Sequence, residues 1–254
     1  MRAMILAAGL GTRLRPFTTA TPKPLLPVAN RPLLEYTFAL LAGAGIGEVI
    51  LNAHHLADEL EDGLRRLDSS GVRVSLSRER KILGTAGGPK KAAPFLENGT
   101  FLLLNGDFLV DIDLQEVVNF HRRQGAAATM VLREETGGAI HVDSAGRIRQ
   151  FLRPERQASP EWTAAGFTGI HVLEPEVLKL IHGNTPWEIN RQVYPEMFRR
   201  GGRSIAGRSR SCRRTFGRAD VRADVGRGEA ATCSGGGDLA WIHLVLFEQP
   251  THDR

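Results

Sequence analysis

Through residues 1–198, short apolar runs alternate with stretches whose apolar residues recur at helical spacing. That alternation predicts strands joined by helical crossovers, because two parallel neighbours can be linked only by a chain that passes back over the sheet. Met4–Ala7 reads as a first strand and Pro32–Ala44 as a helix, with Val49–Leu51 and Val72–Leu76 as strands around a helix near Leu56–Leu67. Phe101–Leu104 is apolar at every position, the pattern of a strand buried on both faces. Ala128–Arg133, His141–Val142, Ile148–Phe151 and Gly166–Val172 read as further strands, followed by a helix from Glu174 and another from Pro186 to Arg199. The expected fold class is α/β: a Rossmann-like, mixed and mostly parallel sheet flanked by helices, with an irregular C-terminal tail.

The tail is set apart by charge. Residues 1–198 carry 22 basic and 22 acidic side chains, whereas residues 199–254 carry 11 arginines, no lysine and 6 acids, so the net charge of +5 resides in the tail alone. Gly201–Gly237 shows neither period 2 nor period 3.6, and no packed element is expected there; Leu239–Phe247 could form a last strand. Two origins stay open: a disordered extension, or a reading-frame change in a GC-rich gene. The domain division is therefore one folded domain over 1–198 and an irregular Arg/Gly-rich tail over 199–254. A basic tail without interleaved aromatics argues against nucleic acid as the main partner. No apolar run reaches the length of a membrane span, and Cys212 and Cys233 make neither a disulfide framework nor a metal site. A cytoplasmic protein is expected, and association into a homo-oligomer stays open.

Three segments carry chemistry. The first strand runs into Ala8-Gly9-Leu10-Gly11-Thr12-Arg13, where glycines let the backbone approach a ligand and aim its N–H groups at anionic oxygens. The Gly-Lys-Ser/Thr ending of a Walker loop is missing, as are the third glycine and distant acid of a dinucleotide fingerprint. Gly84-Thr85-Ala86-Gly87-Gly88 precedes a short helix around Lys90–Phe95. Asn105-Gly106-Asp107 ends the buried strand, and ligands of open α/β sheets gather at the carboxyl ends of strands.

The pattern from Leu6 to Leu14, followed by Thr21-Pro-Lys23-Pro-Leu-Leu-Pro-Val28, resembles the sugar-1-phosphate nucleotidyltransferases. The resemblance implies the nucleotide-diphospho-sugar transferase type of fold and a reaction between a nucleoside triphosphate and a sugar 1-phosphate. It places the nucleotide against Leu6, Ala8, Gly9, Gly11, Thr12, Gly84, Thr85, Asn105 and Gly106. Arg13 and Lys23 would meet the triphosphate as catalytic cations, and Asp107 would hold Mg²⁺. Fixed cations and N–H dipoles suit this transfer, because charge develops on the α-phosphate and on departing pyrophosphate. The Gly-Thr-Ala-Gly and Thr-Gly-Ile segments look most like mannose-1-phosphate guanylyltransferase relatives. Uridylyltransferases acting on amino-sugar or hexose 1-phosphates come next, and a catalytically impaired nucleotide-sugar binder is the third reading.

On the sugar side the resemblance implies Gly138, Arg153, Thr168 and Gly169. Leu152 and Arg153 stand where many members have Glu-Lys. A second metal carboxylate is implied in the tail, where Asp224 or Asp220 offers the nearest echo. Asp111 and Asp113 also invite a metal reading, but Asp113 with Glu116 reads as a helix cap. The histidines form no ligand or triad pattern.

Overall fold

The computed structural model describes residues 1–134, 138–144, 148–151, 159–183, 185–200, 204–209, 212–216 and 242–248. The chain starts with β1 (Arg2–Leu6), passes a two-stranded hairpin, β2 (Pro27–Val28) and β3 (Arg31–Pro32), and enters α1 (Leu33–Gly43). Next come β4 (Glu48–Ala53), α2 (Ala57–Leu64), β5 (Arg73–Arg78), α3 (Gly84–Lys91), α4 (Ala93–Leu96) and β6 (Phe101–Asn105). After β7 (Leu109–Ile112) and α5 (Leu114–Gln124) the chain forms β8 (Ala126–Glu134), β9 (Ile140–Val142), β10 (Ile148–Phe151) and β11 (Thr163–Leu173). Helix α6 (Tyr194–Arg199) precedes β12 (Ser204–Ser209), β13 (Cys212–Phe216) and β14 (Ile242–Glu248).

The main sheet runs in the order β12-β14-β8-β11-β6-β1-β4-β5, with β9 and β10 added beside β11. The pairs β6–β1, β1–β4 and β4–β5 are parallel, while β11 is antiparallel to both β6 and β8. Each face carries its own core. Ala3, Ile5, Leu102 and Leu104 pack with α1, α2 and α5 through Phe38, Leu41, Leu60, Val117 and Val118. Met4, Phe101 and Leu103 pack with α3, α4 and α6 through Ala86, Leu96, Tyr194 and Met197. The uninterrupted apolar run Phe101–Leu104 is thus divided residue by residue between two cores, and each of its side chains contributes about 1.5–3 kcal/mol of burial.

The parallel half follows the sequence reading closely. Asp113 caps α5: its side chain accepts from the amides of Gln115 at 2.9 Å and Glu116 at 3.1 Å. Gly125 ends that helix in the left-handed region, at φ 60°. Four elements depart from expectation, the first being Gly84–Gly88, which does not precede the helix but forms the first turns of α3, with α4 following from Ala93. The span Pro186–Arg199 is not one helix; a π-turn over Ile189–Val193 leads into α6, and Trp187 and Glu188 remain extended to meet α3. The segment after Glu174 forms 3₁₀ turns over Pro175–Leu180. Gly201–Gly237, expected to hold no packed element, contains β12, which pairs with β14, and β13, which pairs with β7. Backbone pairing across a ladder needs no side-chain periodicity, which explains why these two strands leave no pattern in the sequence.

Beneath α6, Nδ1 of His171 lies 2.6 Å from the Tyr194 hydroxyl, and both residues are buried. Burial pushes the His171 imidazole down to about 3, so it is neutral in the fold, whereas in the unfolded chain it gains a proton below about pH 6.5. Its contribution to stability is therefore complete above pH 6.5 and is lost as the pH falls towards 3, by up to about 1.4 kcal/mol per pH unit. The Tm of the protein is expected to fall more steeply between pH 6 and pH 4 than that of a His171→Gln variant, which keeps a polar partner for Tyr194 but does not titrate. Parallel Tm curves would remove His171 as the responsible group.

Candidate active site

The carboxyl ends of β1, β4 and β6 open into one cavity of about 420 Å³. The loop after β1 forms its floor. Gly11 sits at φ +61° and opens a single 3₁₀ turn, Thr12–Leu14, while the Thr18 hydroxyl donates to the Gly11 carbonyl at 2.8 Å. A Cβ at Gly11 would strike Thr18 at 2.8 Å, so both backbone angle and packing require glycine there. Gly9 differs: a Cβ there would meet no protein atom within 4 Å. Its small size serves no packing need of the chain.

The second wall is the amino end of α3. The amide of Ala86 donates to the Trp187 carbonyl at 2.8 Å, and that of Trp187 donates to the Leu83 carbonyl at 2.9 Å. The Thr85 hydroxyl donates to Glu188 Oε2 at 2.8 Å and accepts from the Ile189 amide at 2.9 Å. Gly84, at φ +74°, lies where a Cβ would come 2.5 Å from the Trp187 carbonyl oxygen. The glycine-rich segment is therefore clamped to a strip of chain a hundred residues away, which fixes the shape of this wall before any ligand arrives.

The third wall carries the charge. Gly106 donates its amide to the Leu6 carbonyl at 2.9 Å, drawing the end of β6 tightly against β1 and setting Asp107 on the rim. Lys23, in a 3₁₀ turn bracketed by Pro22 and Pro24, reaches across and its ammonium donates to Asp107 Oδ2. Both side chains are four-fifths buried or more, so the pair is poorly screened by water. Arg13 lines the same cavity. The Asp107 carboxylate is the kind of donor that Mg²⁺ bound as a triphosphate complex takes, since that ion accepts one or two carboxylates and completes its shell with phosphate oxygens and water. No cluster of three His, Cys, Asp or Glu occurs among the described residues.

Leu6, Ala8, Gly9, Gly11, Thr12, Arg13, Lys23, Gly84, Thr85, Asn105, Gly106 and Asp107 all line this one cavity. Gly138, Thr168 and Gly169 are not among its lining residues. A Cβ on Gly138 would lie 2.4 Å from the backbone of Ala165, so close packing on β11 accounts for that glycine. The Thr168 hydroxyl is used by the Val131 carbonyl at 2.8 Å, at the register shift between β11 and β8. Gly169, at φ +101°, makes room for Asn105 and so borders the cavity through that residue. Arg153, Asp220 and Asp224 lie outside the described residues. Asp111 lies opposite Arg214 in the β7–β13 ladder. Two polar lining residues carried no local signal in the sequence: Asn52, at the carboxyl end of an apolar strand, and Glu188, within a stretch that reads as helix.

Comparison with known proteins places this geometry among relatives. The chain is 36% identical over 216 residues to a UTP–glucose-1-phosphate uridylyltransferase of Synechocystis sp., an alignment covering 78% of this chain and 55% of that protein. It is 37% identical over 204 residues to a mannose-1-phosphate guanylyltransferase catalytic subunit beta of Drosophila pseudoobscura pseudoobscura, covering 77% and 54%. The chain thus spans about half the length of the curated relatives it matches. Among solved structures, UDP-glucose pyrophosphorylase from Acinetobacter baumanii superposes with a TM-score of 0.66 at 19% identity, over 78% of this chain and 82% of that one. HddC from Yersinia pseudotuberculosis complexed with GMP-PN superposes with a TM-score of 0.63 at 21% identity, over 77% and 85%; these two likenesses concern the fold. Residues 2–200 match the family model described as nucleotidyl transferase, and the chain belongs to that family.

Proposed function

We propose that this chain transfers a nucleotidyl group from a nucleoside triphosphate to a sugar 1-phosphate, giving a nucleotide-sugar and pyrophosphate. The observation that carries the reading is the convergence of Arg13, Lys23 and Asp107 with two glycine-rich backbones in one cavity. A sugar-phosphate oxygen attacks the α-phosphorus in line, the bond to the β-phosphate oxygen breaks, and pyrophosphate leaves. No protein nucleophile is needed, so the residues work by position and charge. Backbone around Gly9–Thr12 lies against the phosphates, Arg13 and Lys23 offset the charge that grows on them, and the Gly84–Thr85 wall orients the nucleoside. Asp107 would hold Mg²⁺, with Asp224 or Asp220 of the tail as the second carboxylate, and the ion would supply Lewis-acid stabilisation of the phosphate charge.

The preferred pair is GTP and mannose 1-phosphate, supported by the guanylyltransferase relatives. UTP with glucose 1-phosphate or an amino-sugar phosphate is the second reading, supported by the Synechocystis relative. Pyrophosphate release with five nucleoside triphosphates, each against mannose, glucose and N-acetylglucosamine 1-phosphates, separates them. GTP with mannose 1-phosphate is expected to give the highest kcat/KM. Higher values with UTP would transfer the assignment to the second reading, and triphosphate binding without turnover would leave an impaired binder.

A further inference from the structure

A polar chain runs across the carboxyl ends of three adjacent parallel strands, away from the charged rim. The Ala7 amide, at the exit of β1, donates to Asn52 Oδ1 at 2.7 Å; Asn52 Nδ2 donates to Glu79 Oε1 at 2.8 Å; the Leu83 amide donates to Glu79 Oε2 at 3.0 Å. Asn52, in β4, and Glu79, just past β5, are 2% and 5% exposed. Glu79 is itself fixed by its backbone, whose amide donates to the Ala53 carbonyl at 2.7 Å and whose carbonyl lies 2.9 Å from His54 Nδ1. One end of the chain thus holds the first residue of the loop on the cavity floor. The other holds the residue that opens the Gly84 wall.

The donors and acceptors in this chain admit one arrangement. Two N–H groups converge on Glu79, so both of its oxygens have to accept, which a carboxylate does and an amide does not. Asn52 has to accept at one end and donate at the other, which an amide does and a carboxylate does not. Helix α3 leaves room for the pair: a Cβ on Gly88 would come 2.8 Å from Asn52 Nδ2 and 3.0 Å from Glu79 Oε1. Buried polar groups left without partners are costly, and a deeply buried carboxylate is retained only where its oxygens are engaged.

We infer that Asn52 and Glu79 are a positioning pair that sets the distance between the phosphate-facing loop and the nucleoside-facing wall, an inference that rests on the cavity being a nucleoside triphosphate site. Neither acts on the reacting atoms. Their effect is on how tightly the triphosphate is gripped in the geometry of transfer, because a loop released from its brace spends binding free energy on being ordered.

The test exchanges the two functional groups. In Asn52→Asp a carboxylate faces the Glu79 carboxylate, and in Glu79→Gln an amide N–H faces another donor, so each single variant breaks the chain. The double variant Asn52→Asp/Glu79→Gln restores it with every direction satisfied. The carboxylate now at position 52 accepts from the Ala7 amide and from the side-chain amide now at position 79, whose carbonyl accepts from the Leu83 amide. Each single variant is expected to raise KM for the triphosphate about tenfold or more, with a smaller change in kcat, and to speed amide exchange at Ala7 and Leu83. The double variant is expected to return KM to within about fivefold of the wild type and to restore slow exchange. KM unchanged in the singles while exchange accelerates would reduce the pair to a structural role and overturn the inference, as would a double variant no better than the worse single. If the wild type turns over no sugar phosphate at all, the proposed reaction fails; Kd for the triphosphate by calorimetry then replaces KM, and the exchange readings are unaffected.

Discussion

Asp107→Asn is expected to lower kcat by about 10²–10³-fold, the range seen when one preorganised charge-stabilising group is removed. The substitution keeps size and shape at the rim, so the packing of β6 against β1 is preserved, but Lys23 loses its partner in a largely buried pair, and Tm is expected to fall by about 2–4 °C for each kcal/mol lost, which circular dichroism checks before kcat is compared. What is lost is the anionic oxygen that faces Lys23 and would hold the divalent ion against the phosphates. Adding a chelator to the wild type should depress pyrophosphate release to a similar level, and added Mg²⁺ should restore the wild type but not the variant. Retention of more than a tenth of kcat by Asp107→Asn would remove this residue from the reaction.

Lys23→Met is expected to reduce kcat/KM by a similar factor, about 10²–10³-fold. The lysine is held in place by prolines on both sides and by a single turn of 3₁₀ helix, so its charge is presented without much further ordering. Lys23→Arg should recover only part of the loss, because a planar fork does not fill the position of a compact ammonium. Since Lys23 and Asp107 bond each other, their roles are coupled: the double variant should lose about as much as the worse single, not the product of both. Strict additivity in steady-state kinetics would mean that the two act independently and that their contact is incidental.

What could be read from the sequence was what is local. A strand running into Gly9 and Gly11, a lysine between two prolines, and an aspartate ending an all-apolar strand each occupy a few consecutive positions, and the fold brings these pieces together at the strand ends. The sheet order that makes β1, β4 and β6 neighbours is implied only in outline by the strand–helix alternation. Asn52 was hidden because it falls just past the apolar run Val49–Leu51 that marks the strand, where a polar residue says nothing until its two partners, at Ala7 and Glu79, are known. Glu188 was hidden differently: the apolar spacing over Pro186–Arg199 has helical character, but the tertiary bond between Trp187 and Leu83 holds the first three residues out of the helix. Tertiary contacts overrode local preference there. On the sugar side, Gly138 and Thr168 matched a pattern, yet close approach to Ala165 and a bond to Val131 account for them within the fold itself.

Strand β6 has a parallel neighbour on one side and an antiparallel neighbour on the other. The cavity opens on the parallel side of β6, over the carboxyl ends of β1, β4 and β6. Among the described residues, those proposed to meet the triphosphate come from the parallel side, whereas Gly169 of β11 borders the cavity through Asn105 and Glu188, beyond β11, lines it. The two sides are joined along a shared ladder and a shared core: β11 pairs with β6 from Phe101 to Leu104, and Met4 and Leu103 pack with Met130, Leu132 and Leu173. Side-chain exchanges on β8 to β11 would accordingly leave in place the backbone bonds that fix β6 beside β1, and with them the spacing of the cavity floor.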